Sequence, residues 1–581
     1  MFNKYYQDEL QFLRELGEEF ANAHPNAAHY LAGESRDPDV GRLLEGFAFL
    51  TARVRQKLDD EFPELTHGLI HLLWPHYLRP VPSMAILEFS PMLAALRQSQ
   101  LVPRGCEVQS VPVEGTPCRF RTCYDVTLNP LGLEEVALET RATGLSALRL
   151  GFRLHNQARP ANLKLERVRL FLHGDAALSY ALYFHLCRQV QEARAFAAGP
   201  GGGARFVPVT ISPAGFGDDE GLVPYPAASF PGFRHLQEYF ALPQKFLFVD
   251  VVGLDALASL AIEDRFQVEI RFDRPLSPSL RPTREDIRLH CTPIVNLFAH
   301  EGDPIRLDRT QTEYRLRPSG QDSLHYEIFS IDRVSAFEAG AAEEREIPSF
   351  YSFGRGMIRD GSPCYHTRLR PSVVDERVDT YMSFVDPRGG GALPEAETVA
   401  FHLTCTNRRL AEALRAGDVR EPTDSSPSFA QFRNLTAPTP SIAPPLGGEL
   451  HWRLMSHLSL NYVSLVSVEA LRGILELYNF QAARDPRAAR ANALRLEGIH
   501  DVRMEPGAAM VHGALVRGSI VTVDVLEDHF AGDGDLFLFA SILNEFISLS
   551  GTLNSFTQLT LRGLQRGEVL TWPRRIGRDR L

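Results

Sequence analysis

Cysteine is scarce in this chain: seven in 581 residues, at 106, 118, 123, 187, 291, 364 and 405, with no CxxC pair among them. An odd, scattered set fits reduced thiols better than a disulfide framework or a structural zinc site. Long apolar runs are missing as well. No uninterrupted stretch reaches the roughly 18 residues that a membrane-spanning helix needs. The opening MFNKYYQDELQFLRELGEEF is charged from Lys4 onward and has no apolar core of a signal peptide. A cytoplasmic protein without direct membrane insertion is expected. An excess of positive charge is absent too: 61 Lys and Arg against 72 Asp and Glu give a net charge of −11. That balance argues against broad electrostatic binding to nucleic acid, which needs a basic surface.

The usual catalytic signatures are also lacking. No serine sits in GxSxG. The run GPGGGAR at 199–205 has no Lys-Ser/Thr pair to hold phosphate and magnesium, and reads as a flexible loop, as does RGGG at 388–391. His67 and His71 stand four apart in THGLIHLLWPHY, but Gly68 occupies the place of the Glu in HExxH, so packing or interface histidines are the better account. Asp533, Gly534 and Asp535 resemble a fragment of a calcium loop without its ligand alternation, and read as a turn before the last helix. No catalytic residue, metal ligand or cofactor is expected. Carboxylates are abundant, so counting leaves a glycosidase-like pair open.

What is present is ordinary globular composition, 44% hydrophobic and 23% charged, over a length that implies about two to four domains. The pattern predicts an α+β, multidomain fold: a helical N-terminal region at 1–80, β-rich domains at 81–275 and 276–410, a Pro-rich linker or arm at 411–450, and a small α/β domain at 451–581. Tyr6, Leu10, Leu13, Gly17 and Phe20 follow helical spacing. A second stripe runs through Val40, Leu43, Phe47, Leu50, Val54 and Leu58 behind Asp37, the expected N-cap, and Pro38. Such a pair of helices either closes on its own domain or is offered to partner subunits in a shared bundle. The candidate partner-binding residues are Tyr6, Leu10, Leu13, Phe20, Phe47 and Val54. Phe350, Tyr351 and Phe353 are ambiguous between packing and interface.

Strand alternation appears at 120–128, 148–154 and 266–272, with short helices expected near 175–192, behind Asp175, and 233–241. Pro438, Pro440, Pro444 and Pro445 give the arm few donors, and it is expected to order mainly on assembly. The last region reads as a helix through Val468, Leu471, Leu475 and Tyr478, a strand GSIVTVDV, and a helix through Leu536, Phe539, Leu543 and Phe546.

Several long segments resemble one protein family. They are YYQDELQFLRELGEEFANAHP and the stretch from DPDVGRLLEGFAFL to YLRPVPSM near the start, then FRHLQEYFALPQKFLFVDV at 233–251 and TPIVNLFAHEGDPI at 292–305. Towards the end come CTNRRL at 405–410, WRLMSHLSLNYVSL at 452–465, RGSIVTVDVLEDHFAGDGDLFLFASILNEF at 517–546 and NSFTQLTL at 554–561. All are similar to the TssF family of type VI secretion baseplate subunits, with departures in the glycine- and proline-rich loops at 199–203 and 387–391. The resemblance implies a structural wedge subunit and not an enzyme. It further implies assembly with TssG, TssK, TssE and a second TssF copy around the VgrG spike, priming tube and sheath assembly, and docking at the inner face of the inner membrane. Equivalent wedge proteins of phage tails or other contractile particles are the nearest alternative, and a carbohydrate hydrolase the alternative of a different class.

Overall fold

The computed structural model describes residues 2–24, 38–59, 63–92, 96–140, 145–197, 205–226, 229–260, 262–277, 279–307, 311–320, 323–337, 344–351, 363–372, 378–385, 398–446, 452–454, 467–511, 514–549 and 555–577. Asp37, Phe353, the glycine-rich runs and most of 452–465 lie outside the described residues. The chain is α+β and divides into two compact units, Met1–Trp74 with Pro445–Ser459, and Pro75–Pro444 with Leu460–Leu581.

The first unit is helical, with α1 (Phe2–Ala23), α2 (Pro38–Asp59) and α3 (Pro63–Leu73). The second holds the sheets. Its six-stranded sheet runs Val419–Pro422, Glu107–Val113, Thr116–Thr122, Cys291–Val295, Met84–Pro91, Ala430–Asn434. It therefore draws strands from both sides of the boundaries expected at 275 and 410. The continuous alternation read at 120–128 is split in the structure. Thr116–Thr122 belongs to the large sheet, whereas Val126–Leu128 pairs with Gln100–Val102. The chain bends between them because the amides of Cys123 and Tyr124 turn to Pro293 O and Thr292 Oγ1. The strands expected around 150 and 268 are neighbours in a five-stranded sheet, with Phe152 opposite Phe266 and Leu150 opposite Val268. A separate core gathers Phe298, Val334, Met382, Phe401 and Leu403 between two smaller sheets.

The segment read as a linker supplies two strands of the large sheet and then continues hydrogen-bonded to it. Leu435 N donates to Ile86 O, Thr439 N to Met84 O, and Val81 and Ile442 exchange both bonds. Thr436 Oγ1 and Thr439 Oγ1 accept from the amides of Ile86 and Met84. This corrects the expectation that the arm orders on assembly. Pro438 and Pro440 fall between the donating positions, so their missing N–H groups cost the arm nothing.

Helices α4 (Ala176–Arg188) and α5 (Gly232–Ala241) match the expected positions. Asp175 is the N-cap of α4 but makes no side-chain capping bond; its carbonyl accepts from Ser179 Oγ instead. The end of the chain contains α6 (Val468–Tyr478), α7 (Pro486–Glu497) and α8 (Asp533–Leu549). Strands Ala514–Val525 and Ser555–Gly563 pair in parallel, and α8 lies in the crossover that parallel pairing requires. Asp533, Gly534 and Asp535 are the first turn of α8 and not a turn before it. Asp535 forms a two-pronged pair with Arg495 of α7 at 2.9 and 3.0 Å. Gly534 has no substitute, since a Cβ there would run into the Tyr180 carbonyl.

The family-like segment 233–251 owes its composition to burial. Almost every residue of α5 is inaccessible, including Glu238, whose carboxylate receives the Lys245 ammonium and the Leu222 amide at 2.7 Å. Lys245 is wholly buried, and loss of water lowers its pKa against the opposing pull of Glu238. Replacing Lys245 by Met should leave Glu238 unpaired and cost about 3–5 kcal/mol in urea unfolding. The double change Glu238→Gln with Lys245→Met keeps an acceptor for Leu222 and should recover most of that loss. A double variant no more stable than the single one would contradict the pairing.

Candidate partner interface

Two 22-residue helices form the N-terminal hairpin. Glu9 near the start of α1 meets Arg55 near the end of α2 at 2.7 Å, which makes the helices antiparallel. Their contact is thin: Leu10, Ala48 and Ala52 are buried, and Tyr6, Leu13, Leu44 and Thr51 half-buried. Small alanines let the backbones approach but bury little area.

Outside that seam, α2 carries Leu43, Phe47, Leu50 and Val54, spaced 4, 3 and 4 apart and 57–72% exposed. On α1, Phe12, Leu16 and Phe20 repeat at four-residue spacing and are about half exposed. Each helix therefore presents one apolar stripe to its own hairpin and a second one away from it. Burying each of these side chains is worth about 1.5–3 kcal/mol, so a continuous stripe left bare is unusual in a chain that works alone.

The structure sorts the candidate residues into two groups. Leu10, with Tyr6 and Leu13 partly, holds the hairpin together, whereas Phe20, Phe47 and Val54 face outward. Helical spacing placed Phe20 on one stripe with Leu10 and Leu13, and it gives no sign of which part of a stripe the neighbouring helix covers. Phe12, Leu16, Leu43 and Leu50 complete the outward stripes; Phe12 and Leu16 were missed because the stripe read on α1 runs through Leu10 and Leu13, which the hairpin covers, and only its last residue, Phe20, faces outward.

Ionisable groups in the second unit are largely consumed by one another. Arg169 pairs with Asp250 at 2.7 and 2.8 Å and with Glu220 at 2.6 Å. Burial pushes the Glu220 carboxyl up, but Arg169 and the amides of Gly217 and Gly215 outweigh it and leave it below the usual range. Burial raises the thiol of Cys118 to about 11 and that of Cys123 to about 12, so both are protonated at neutral pH and poor nucleophiles. No group of three or more His, Cys, Asp or Glu suited to a metal occurs among the described residues. Nor is any helix among them long and apolar enough to cross a membrane.

His76, within YLRPVPSM's upstream neighbour WPHY, is a buried node. Its ring nitrogens lie 3.3 Å from Ser229 Oγ and 3.2 Å from Tyr478 Oη, and Tyr225 Oη is 3.4 Å away. Burial, helped by Arg79, lowers its pKa to about 3. An unfolded chain takes up the proton near pH 6.5 while the fold refuses it until about 3. Stability must therefore fall as pH drops through that window, by up to about 1.4 kcal/mol per pH unit from this group. Chemical unfolding of the parent and a His76→Gln variant between pH 7 and 4 should give a shallower slope for the variant. Equal slopes would contradict the buried neutral ring.

Comparison with known proteins concerns nearly the whole chain. Residues 1–579 match the protein family described as "Type VI secretion system, TssF". A Pseudomonas aeruginosa protein, "Type VI secretion system component TssF1", is 32% identical across 99% of this chain and 98% of its own length. Among solved structures, a chain of the TssK-TssF-TssG baseplate subcomplex seen by cryo-electron microscopy is 34% identical. It superposes with a TM-score of 0.78, covering 92% of this chain and 99% of that one. A chain of the type VI secretion baseplate complex is 30% identical, with a TM-score of 0.66 and complete coverage of both.

Proposed function

Since the chain belongs to the TssF family of the type VI secretion system, we propose that it is a structural wedge subunit of the baseplate, acting by assembly and not by catalysis. The observation that carries this reading is the likeness, at 34% identity over 92% of this chain, to a chain within a TssK-TssF-TssG subcomplex. TssG and TssK are the first partners, joined in the complete baseplate by TssE, a second copy of this chain and the VgrG spike, at the inner face of the inner membrane.

The N-terminal hairpin is the part offered to those partners. Its seam buries too few side chains to hold two long helices firmly, because isolated helices gain most of their stability from tertiary packing. Covering Leu43, Phe47, Leu50 and Val54 with a neighbour's helix supplies that packing.

Changing Leu10 would break the hairpin itself, so the informative change is Phe47→Asp with Val54→Asp on the outward face. Two charges set into an apolar contact cost several kcal/mol. The isolated variant should keep the main melting transition of the β-rich unit, while co-purification with TssG falls about tenfold or more. Normal binding to TssG would remove the hairpin from the interface.

A further inference from the structure

A cavity of about 400 Å³ opens between α4, α8 and the chain from Leu570 to Arg575. One side is aromatic, with Tyr183, Phe216, Phe537 and Trp572 in its wall, and Trp572 stacks on Phe537 at 5.7 Å between ring centres. Two polar groups stand in it without partners. Asn544, midway along α8, is 4% exposed, yet its side-chain amide makes no hydrogen bond among the described residues. Its helical neighbours are satisfied: Ser541 Oγ donates to Phe537 O, and Glu545 pairs with Arg575 at 2.5 Å. Arg188, the last residue of α4, lines the same cavity, is exposed and has no ion pair among the described residues. Arg188 and Arg575 against Glu545 leave the cavity one positive charge in excess.

The Asn544 amide opens onto the cavity with both its donor and its acceptor free of protein partners among the described residues, so it can bond to whatever enters there. We propose that this cavity binds a peptide segment of a partner protein in which a large apolar side chain stands next to a carboxylate. The aromatic wall takes the apolar side chain. The Asn544 amide, donor and acceptor together, matches one peptide unit of the segment. The Arg188 guanidinium takes the carboxylate in a charge-assisted pair. Strand Val569–Thr571 ends its row of the C-terminal sheet and borders the cavity, which gives an extended segment a backbone to run along. This site is remote in argument from the hairpin: it would stand even if the secretion reading failed, which co-purification with TssG tests separately.

Titration calorimetry of the full chain with Ac-Ala-Phe-Asp-Ala-NH2 and Ac-Ala-Asp-Phe-Ala-NH2 tests the proposal. At least one should bind saturably with one site per chain. Replacing its Asp by Asn should weaken binding about tenfold, the size of one charge-assisted hydrogen bond. Arg188→Glu, on an exposed side chain that the fold does not need, and Asn544→Leu should each weaken binding about tenfold or more. The proposal is overturned if neither peptide binds, if the Asn peptide binds as tightly as its Asp parent, or if Arg188→Glu binds like the unaltered chain.

Discussion

A lysine and a glutamate sealed from water must stay together, and much of the second unit is arranged so that Glu238 and Lys245 can. Helix α5 carries the carboxylate with nearly all its residues inaccessible. Arg234, one turn earlier, donates to the carbonyls of Gly217 and Asp218 and so pins the preceding loop. Gln481 caps the far end of α5 by donating to Ala241 O. On its flank Phe233 stacks on Tyr478 of α6, and Tyr478 meets His76 in turn. Segments more than two hundred residues apart are thus fixed around one ion pair. Breaking either member leaves a charge in a medium that cannot solvate it.

The hairpin follows the opposite logic. It buries little and shows much: Arg42, Asp39 and Arg55 are exposed, and among its described ion pairs only Glu9, the partner of Arg55, is largely covered. A protein built this way is complete in one part and unfinished in the other. That division fits the proposed role, in which a firm body enters an assembly and neighbours cover its helices.

Much of this was legible from the sequence because periodicity reports burial directly. The alternation in 148–154 and 266–272 marked two strands that are register partners, and the spacing through Leu471, Leu475 and Tyr478 marked α6. The misreadings share a cause. Pro438 and Pro440 looked like signs of a loose arm, because a sequence does not show which N–H groups a distant strand will need. Cys123 to Asp125 kept the alternation while the backbone turned, because both sides of the bend are buried. For the hairpin, the pattern gave the stripes but not their assignment: Leu10 and Phe20 are equally apolar, and only the position of α2 makes one core and the other surface. Asn544 carried no signal at all, since an asparagine inside an apolar helix reads as an ordinary interruption.

The claim that the outward stripe of α2 is covered in the baseplate can be measured by hydrogen–deuterium exchange on residues 38–59. The chain alone is compared with the chain co-expressed with TssG and TssK. The account predicts rapid exchange across these residues in isolation and strong protection in the complex, with little change in α5 in either state. Equal exchange of residues 38–59 in both samples, in a complex that has formed, would contradict it.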